Sequence, residues 1–172
     1  MKDLELHLPR LRRYARALTG DRHASEDLVQ DTVERALSRF AWFRTGAKLD
    51  AWLLSIMHNL FVSQKRHQAV QPPCDPIDER SDLAMRGTEE DALALLDLDR
   101  ALARLPDEQR AVLLLISLEE FSYEETSRIL GVPVGTVMSR LSRARERLRI
   151  ILAEDASAAS AAVSSPHLKV IK

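Results

Sequence analysis

The side chains best suited to chemistry lie in one arginine-rich stretch, residues 128–149, which carries six Arg and one Glu. A projection at 100° per residue divides its central part, Gly135 to Glu146, into an apolar stripe and an opposite side of small and polar residues. Small side chains let a helix approach the DNA major groove closely, and Arg binds guanine edges and phosphates. Ser139 and Arg143 therefore suit base-edge contacts, and three further arginines suit phosphate contacts: Arg140, Arg145 and Arg147.

Residue patterns typical of enzymes are missing from the sequence. The five His residues are scattered and have no Cys or carboxylate partners at metal-binding spacing, and the single Cys74 lies in a Pro-rich stretch. There is no Gly-rich phosphate loop, nucleophile elbow or pair of catalytic carboxylates. We therefore predict a protein that is not an enzyme and that needs no metal or other cofactor.

The elements that must position the basic surface form a helix-turn-helix. Ser122 to Glu125 has the S-x-x-E pattern of a capping box and predicts a short helix that ends at Leu130. Gly131 to Pro133 predicts a tight turn, after which a second helix is expected to run to about Leu152. Four residues of this second helix share one stripe and are expected to face a core: Val137, Leu141, Ala144 and Leu148.

The N-terminal half predicts three amphipathic helices, at about 4–19, 24–38 and 50–67. In the second helix we expect an apolar face to be buried, formed by Leu28, Val29, Val33, Ala36 and Leu37. In the third, Trp52 shares helical spacing with Leu49, Leu53 and Ile56 and is expected in the core. The second helix also carries an acidic and amide stripe at i, i+3, i+4 and i+7 spacing, consisting of Asp27, Gln30, Asp31 and Glu34.

Composition is that of a soluble globular protein, because the 172 residues are 45% hydrophobic and 30% charged. The longest apolar run, Ala111 to Ile116, is far shorter than the ~20 residues of a membrane span, and the N-terminus has no apolar signal-peptide region. We expect no membrane insertion and a cytoplasmic location. The net charge of −1 is the sum of two oppositely charged segments: residues 75–100 hold nine acids and three Arg, whereas residues 128–149 are basic. This segregation favours polyanion binding by the basic stretch alone.

Together these patterns predict an all-α fold of two small helical domains joined by a flexible linker, with the helix-turn-helix in the C-terminal domain. The first domain is expected at residues 1–68 and the second at 91–153. Residues 69–90 are acidic and contain Pro, and they predict the linker. The Ala/Ser-rich residues 154–172 predict a disordered tail.

Two sequence blocks carry a resemblance. Residues 96–150 contain LPDEQRAVLLL and FSYEETSRILGVPVGTVMSRLSRARERL, and residues 8–68 contain LPRLRRYARALTGDRHASEDLVQDTVERAL and LDAWLLSIMHNLFVSQKR. They closely resemble, respectively, the −35-binding domain (region 4) and the −10-binding domain (region 2) of the extracytoplasmic-function (ECF) sigma factors of bacterial RNA polymerase. The blocks follow the family's order and separation and cover about 115 of the 172 residues, so the resemblance is specific.

The resemblance implies a sigma factor that binds core polymerase, recognises promoter DNA, initiates transcription of a restricted gene set and is held inactive by an anti-sigma factor. In the family the C-terminal domain also contacts the β-subunit flap. The clamp helices of the largest polymerase subunit would contact the acidic stripe: Asp27, Gln30, Asp31 and Glu34. The −10 DNA would contact Phe43, Arg44, Lys48, Asn59, Lys65 and Arg66. The −35 DNA would contact Met138, Ser139, Arg140, Ser142, Arg143 and Arg147.

One departure from the family pattern bears on DNA specificity. Many relatives have Lys or Arg at the position of Met138, which cannot donate a hydrogen bond and suits a thymine methyl instead.

Two other functions would explain parts of the sequence. One is a sigma-like protein that binds only an anti-sigma factor, but such a protein would lack the arginines retained between Arg140 and Arg147. A homodimeric helix-turn-helix repressor would leave the N-terminal domain unexplained.

Overall fold

The computed structural model describes residues 2–40, 43, 48–70 and 89–163, and the regular structure within these ranges is α-helical throughout. The all-α prediction is confirmed. In chain order the helices are α1 (Lys2–Thr19), α2 (Arg22–Arg39), α3 (Leu49–Val70), α4 (Glu89–Ala103), α5 (Asp107–Ser117), α6 (Tyr123–Leu130) and α7 (Val134–Val163). We call α1–α3 domain A and α4–α7 domain B. The linker is predicted at 69–90; residues 71–88 lie outside the described residues, whereas residues 69–70 belong to α3 and residues 89–90 to α4.

Domain A is held by a core that all three of its helices share. Fully buried side chains come from α1 (Leu11, Tyr14 and Leu18), α2 (Leu28) and α3 (Leu53, Leu54 and Met57). The α1–α2 turn is short because Gly20 takes a left-handed φ of 72° and Asp21 caps α2 by accepting the backbone N–H of Ala24 at 2.7 Å. This packing fixes which faces of α2 and α3 point outward.

The helix-turn-helix of domain B forms as predicted. The Ser122 side chain accepts the backbone N–H of Glu125, and the Glu125 carboxylate accepts the backbone N–H of Ser122, which completes the capping box. Gly131 ends α6 at a left-handed φ of 65°. On α7, Val137, Leu141 and Ala144 are buried and Leu148 is half-buried. The opposite face of α7 therefore points away from the core.

Two sequence-based expectations need correction, and a third needs refinement. The last helix continues beyond Leu152 to Val163, so the expected disorder from residue 154 is wrong for residues 154–163. Ala has the highest helix propensity, and Arg104 at the end of α4 anchors the added turns by ion pairs with Glu154 and Asp155. Residues 164–172 lie outside the described residues.

The second correction and the refinement concern domain A. Leu37 is 49% exposed, because the inward stripe of α2 follows Leu28, Thr32 and Ala36, and the Thr32 hydroxyl is satisfied by donating to the Leu28 carbonyl at 2.6 Å. Trp52 is only half-buried and packs at the edge of the core, where its ring contacts Phe43 at 5.0 Å between centroids. Trp52 therefore packs against the core, as predicted, but lies at its edge and not at its centre.

The two domains pack against each other through charged contacts. Arg10 on α1 donates to the Glu119 carboxylate in the α5–α6 connection and to the Glu119 carbonyl at 2.7 Å; within domain A it also donates to Asp50 at 2.5 Å. Arg13 donates to the same carboxylate at 3.1 Å. Arg110 of domain B donates to the carbonyl of Leu18 in domain A at 2.7 Å. Helix α6 also lies against α3. We call this arrangement the closed form.

Candidate nucleic-acid and protein interfaces

The outward face of α7 presents five of the six residues predicted to contact −35 DNA. Met138 is 49% exposed. The others are also exposed: Ser139, Ser142, Arg143 and Arg147. The buried stripe of Val137, Leu141 and Ala144 holds the helix so that this face stays free of the core. Such a surface combines small side chains with guanidinium groups, as major-groove contact requires.

Arg140 lies differently from its neighbours on α7. Its side chain is 22% exposed, and its guanidinium pairs with the Glu108 carboxylate on α5 at 2.6 Å. Burial, and then the positive charge of Arg140, lower the pKa of His58 on α3 to about 4. Arg140 is therefore the one predicted −35 contact that is paired with a carboxylate and largely covered in the described structure.

The acidic and amide stripe on α2 is exposed along its whole length, from Asp27 through Gln30 and Asp31 to Glu34. Asp31 is held in place because Gln64 on α3 donates to its carboxylate at 3.0 Å. The structure therefore brings these four residues onto one accessible face. An acidic face of this kind is electrostatically complementary to a basic helix surface on a partner.

The residues predicted to contact −10 DNA are divided between exposed and paired positions. Asn59 and Arg66 are exposed on α3, whereas Arg44 lies outside the described residues. Lys48 donates to the Glu125 carboxylate of domain B at 2.5 Å. The Lys65 ammonium lies 4.0 Å from the carboxylate of Asp107, which also belongs to domain B. The hydrogen bond from the Lys48 ammonium, and then the one from the backbone N–H of Ser122, lower the pKa of Glu125 to about 2.

An aromatic cluster borders this region, and the sequence analysis recognised only part of it. The Phe43 ring lies 6.0 Å from that of Phe40 and 5.0 Å from that of Trp52, measured between centroids. Phe40 is 44% exposed. The signal available in the sequence was the density of aromatic residues between positions 40 and 52. Exposed aromatic rings next to cations can stack on unpaired bases.

A cavity of about 430 Å³ separates α3 from α6. Its lining residues come from both domains: Lys48, Ala51, Trp52 and Ser55 from domain A, and Glu125, Arg128 and Ile129 from domain B.

The part of the chain that the structure describes has no cluster of three or more His, Cys, Asp or Glu able to hold a metal ion. Among the helices of the described ranges, none combines the length and the apolar character that a membrane span needs.

Two known protein families match successive parts of this sequence, and several curated proteins match most of it. The family described as sigma-70, region 4 matches residues 95–148, and the family described as the sigma2 domain of PhyR matches residues 4–58. The ECF RNA polymerase sigma factor EcfG of Rhodopseudomonas palustris is 35% identical over 153 residues, which cover 89% of this chain and 84% of that protein. The ECF sigma factor SigW of Bacillus subtilis is 32% identical, with 77% of each chain covered.

Solved structures show the same fold. The sigma factor RpoE of Bartonella quintana, in complex with the anti-sigma factor NepR, is 35% identical with a TM-score of 0.70, over 88% of this chain and 94% of that one. CnrH, in complex with the cytosolic domain of CnrY, is 25% identical with a TM-score of 0.67, over 90% and 87%. The chain belongs to the ECF RNA polymerase sigma factors, which are transcription factors rather than enzymes.

Proposed function

We propose that domain B reads the promoter −35 element by placing α7 in the DNA major groove. The observation that carries this assignment is the exposed face of Ser139, Ser142, Arg143 and Arg147, opposite a buried stripe on the same helix. Met138 lies at the edge of that face and supplies an apolar contact to a base, such as a thymine methyl. Arg140 contacts a phosphate once it leaves Glu108.

Domain A docks on core RNA polymerase through the acidic and amide stripe of α2. Asp27, Gln30, Asp31 and Glu34 are exposed on one face, as contact with the clamp helices of the largest subunit requires. The carboxylates attract a basic partner helix, and the Gln64–Asp31 hydrogen bond reduces the side-chain ordering that binding costs. Domain B contacts the β-subunit flap, so that both domains are bound to polymerase at once.

The −10 strand binds across the end of α2 and along α3. Asn59 and Arg66, seven residues apart, lie on the same side of α3, and they supply polar and cationic contacts to a single-stranded backbone. Lys65 precedes Arg66 on α3, and Arg44 and Lys48 precede that helix in the sequence. The Phe43 ring, backed by Trp52, forms the apolar wall against which an unstacked base packs. The chemistry of transcription stays with the polymerase, in the cytoplasm, and this chain contributes no enzymatic step.

An anti-sigma factor is the proposed regulatory partner. The sigma factor RpoE, whose fold this chain shares over most of its length, is in complex with the anti-sigma factor NepR, and CnrH is in complex with the cytosolic domain of CnrY. An anti-sigma factor bound to this chain would compete with polymerase for the surfaces described above.

A second candidate function follows from the match of residues 4–58 to PhyR. The PhyR–NepR complex of Sphingomonas is 26% identical with a TM-score of 0.62 over 86% of this chain, and the PhyR of Bartonella quintana is described as an anti-anti-sigma factor. A mimic of this kind binds the anti-sigma factor and does not need DNA. The exposed arginines of α7 favour the function of a sigma factor over that of a mimic, because a mimic that does not bind DNA does not need DNA-binding arginines.

The docking assignment is tested by Asp31→Arg, with Glu5→Arg as the matched control. Both acids are exposed, and Glu5 lies on a different helix, α1. We expect Asp31→Arg to weaken binding to purified core polymerase at least tenfold, while the binding of Glu5→Arg to core polymerase and the affinity of both variants for promoter DNA alone stay near the wild-type values. If Asp31→Arg binds core polymerase as tightly as the wild type, α2 is not the docking face.

A further inference from the structure

The hydroxyl proton of Ser139 is already used within α7. The Oγ atom of Ser139 lies 3.0 Å from the backbone carbonyl oxygen of Thr136, three residues earlier on the helix. A carbonyl oxygen carries no proton, so Ser139 is the donor in this hydrogen bond. The residue is nonetheless exposed on the outward face of α7. Toward a ligand, Ser139 therefore presents the lone pairs of its oxygen, which accept hydrogen bonds.

The charged side chains of the same face do not offer a free acceptor. Arg143 and Arg147 are exposed and can only donate, because a guanidinium group has no acceptor. Glu146 lies two turns from Ser139 on the same side of α7, but both of its oxygens accept from Arg149, at 2.7 and 3.1 Å. The hydrogen bond from Arg149, and then its positive charge, lower the pKa of Glu146. Ser139 therefore adds an acceptor to a face rich in donors.

Ser142 provides a comparison within the same helix. It is also exposed, three residues after Ser139, and its hydroxyl makes no hydrogen bond to another residue of the described ranges. Such a hydroxyl can rotate either to donate or to accept. The two serines therefore differ in whether the proton is already used, and of the two Ser139 has the defined hydrogen-bonding polarity toward DNA.

The major groove offers an acceptor few partners. Its donors are the N6 amino group of adenine and the N4 amino group of cytosine, whereas N7, O6 and O4 are acceptors. To donate to one of those acceptors, Ser139 would first have to give up its bond to the Thr136 carbonyl. Ser139 lies in the second turn of α7, and the N-terminal residues of a recognition helix are the ones that reach base edges.

We propose that Ser139 reads an exocyclic amino group of the −35 element, on adenine or cytosine, as a hydrogen-bond acceptor that its bond to Thr136 fixes in that role. This inference rests on the proposed −35 surface and adds the chemistry of one base contact to it. A carbonyl oxygen in place of the amino group would set two acceptors against each other, and neither would have a partner. The polarity of Ser139 thus discriminates between base pairs.

The test removes one base group at a time from the −35 element of a promoter that run-off transcription has identified. Purine in place of adenine and 2-pyrimidinone in place of cytosine delete an amino group, and 7-deazapurines delete the N7 acceptor. Competition with the unmodified promoter measures binding by polymerase holoenzyme that contains the wild type, Ser139→Ala or Ser142→Ala. Both serines are exposed, so neither substitution removes core packing. Holoenzyme is used so that the result does not depend on whether the free protein adopts the closed form.

At one position of the element, we expect loss of the amino group to weaken binding by the wild-type holoenzyme about fivefold, the size of one lost hydrogen bond. This penalty should be absent in Ser139→Ala, because the acceptor is already missing, and should persist in Ser142→Ala, whatever the affinity of that variant. Weaker base pairing caused by the analogue is common to the three proteins, so the difference between them isolates the contact. The analogue that produces the penalty shows whether the base is adenine or cytosine.

Two outcomes would overturn the proposal. One is that Ser139→Ala reduces the amino-group penalty at no position of the element. The other is a 7-deazapurine penalty that disappears in Ser139→Ala, which would show that Ser139 donates to N7. The proposed −35 surface fails in a different way, because in that case no single change in the element alters binding by any of the three holoenzymes.

Discussion

Acidification should destabilise the protein through His58. This side chain is half-buried on α3, its Nδ1 atom is buried without a hydrogen-bond partner, and its surroundings lower its pKa to about 4. The cause is burial first and the positive charge of Arg140 second. The folded protein therefore disfavours the protonated imidazole, whereas the unfolded chain binds a proton at the ordinary pKa of 6.5.

The direction and size of the effect follow from linkage. Because the pKa is lower in the folded state, the stability contribution of neutral His58 is complete above pH 6.5 and is lost as the pH falls toward 4. Between about pH 7.5 and about pH 5, these two pKa values correspond to a loss of about 2 kcal/mol in the free energy of unfolding. Other groups add their own pH dependence, so a comparison between variants is required.

The measurement compares His58→Gln with wild type and with His67→Gln, a control whose side chain is exposed on the same helix. Urea unfolding is followed by the helical circular dichroism signal at the two pH values. We expect the acid-induced loss to be about 2 kcal/mol smaller in His58→Gln than in the other two proteins. Equal losses in all three would show that His58 is not shielded from protonation and would refute the reasoning.

Two further predictions concern the helix-turn-helix. Ser122→Ala removes the acceptor for the backbone N–H of Glu125 and should lower the free energy of unfolding by about 1 kcal/mol in urea, whereas Ser142→Ala, at an exposed position of α7, should leave it unchanged. Arg143→Ala should cost about 1–3 kcal/mol of promoter binding, concentrated at one base pair, and an equal loss across all sequences would instead make Arg143 a phosphate contact.

Local features of the fold were predictable because they depend on short sequence separations. The capping box of Ser122 and Glu125 needs three residues of spacing, and the buried stripe from Val137 to Ala144 needs only the helical period. The same applies to the exposed acidic stripe that begins at Asp27, since its spacing places all its members on one side of α2. These elements define the proposed docking and −35 surfaces.

Contacts between distant segments were not predictable from the sequence. Glu119 lies 109 residues from Arg10, and no periodicity relates the two. The pairing of Lys48 with Glu125 likewise depends on how α6 lies against α3, which is a property of the folded chain. Helical spacing placed Trp52 on the core-facing side of α3, but spacing does not show how deeply that side is covered by other helices, so the partial burial of Trp52 was not predictable.

The central claim is that this chain directs RNA polymerase to promoters, and run-off transcription tests it most directly. Purified core polymerase is mixed with the protein and fragmented genomic DNA from its source organism, and the transcripts are sequenced, with core polymerase alone as the control. We predict new transcripts that begin downstream of a shared two-part motif. If the protein binds core polymerase and no such transcripts form, the account of promoter recognition is contradicted and an anti-sigma-binding mimic explains the chain better.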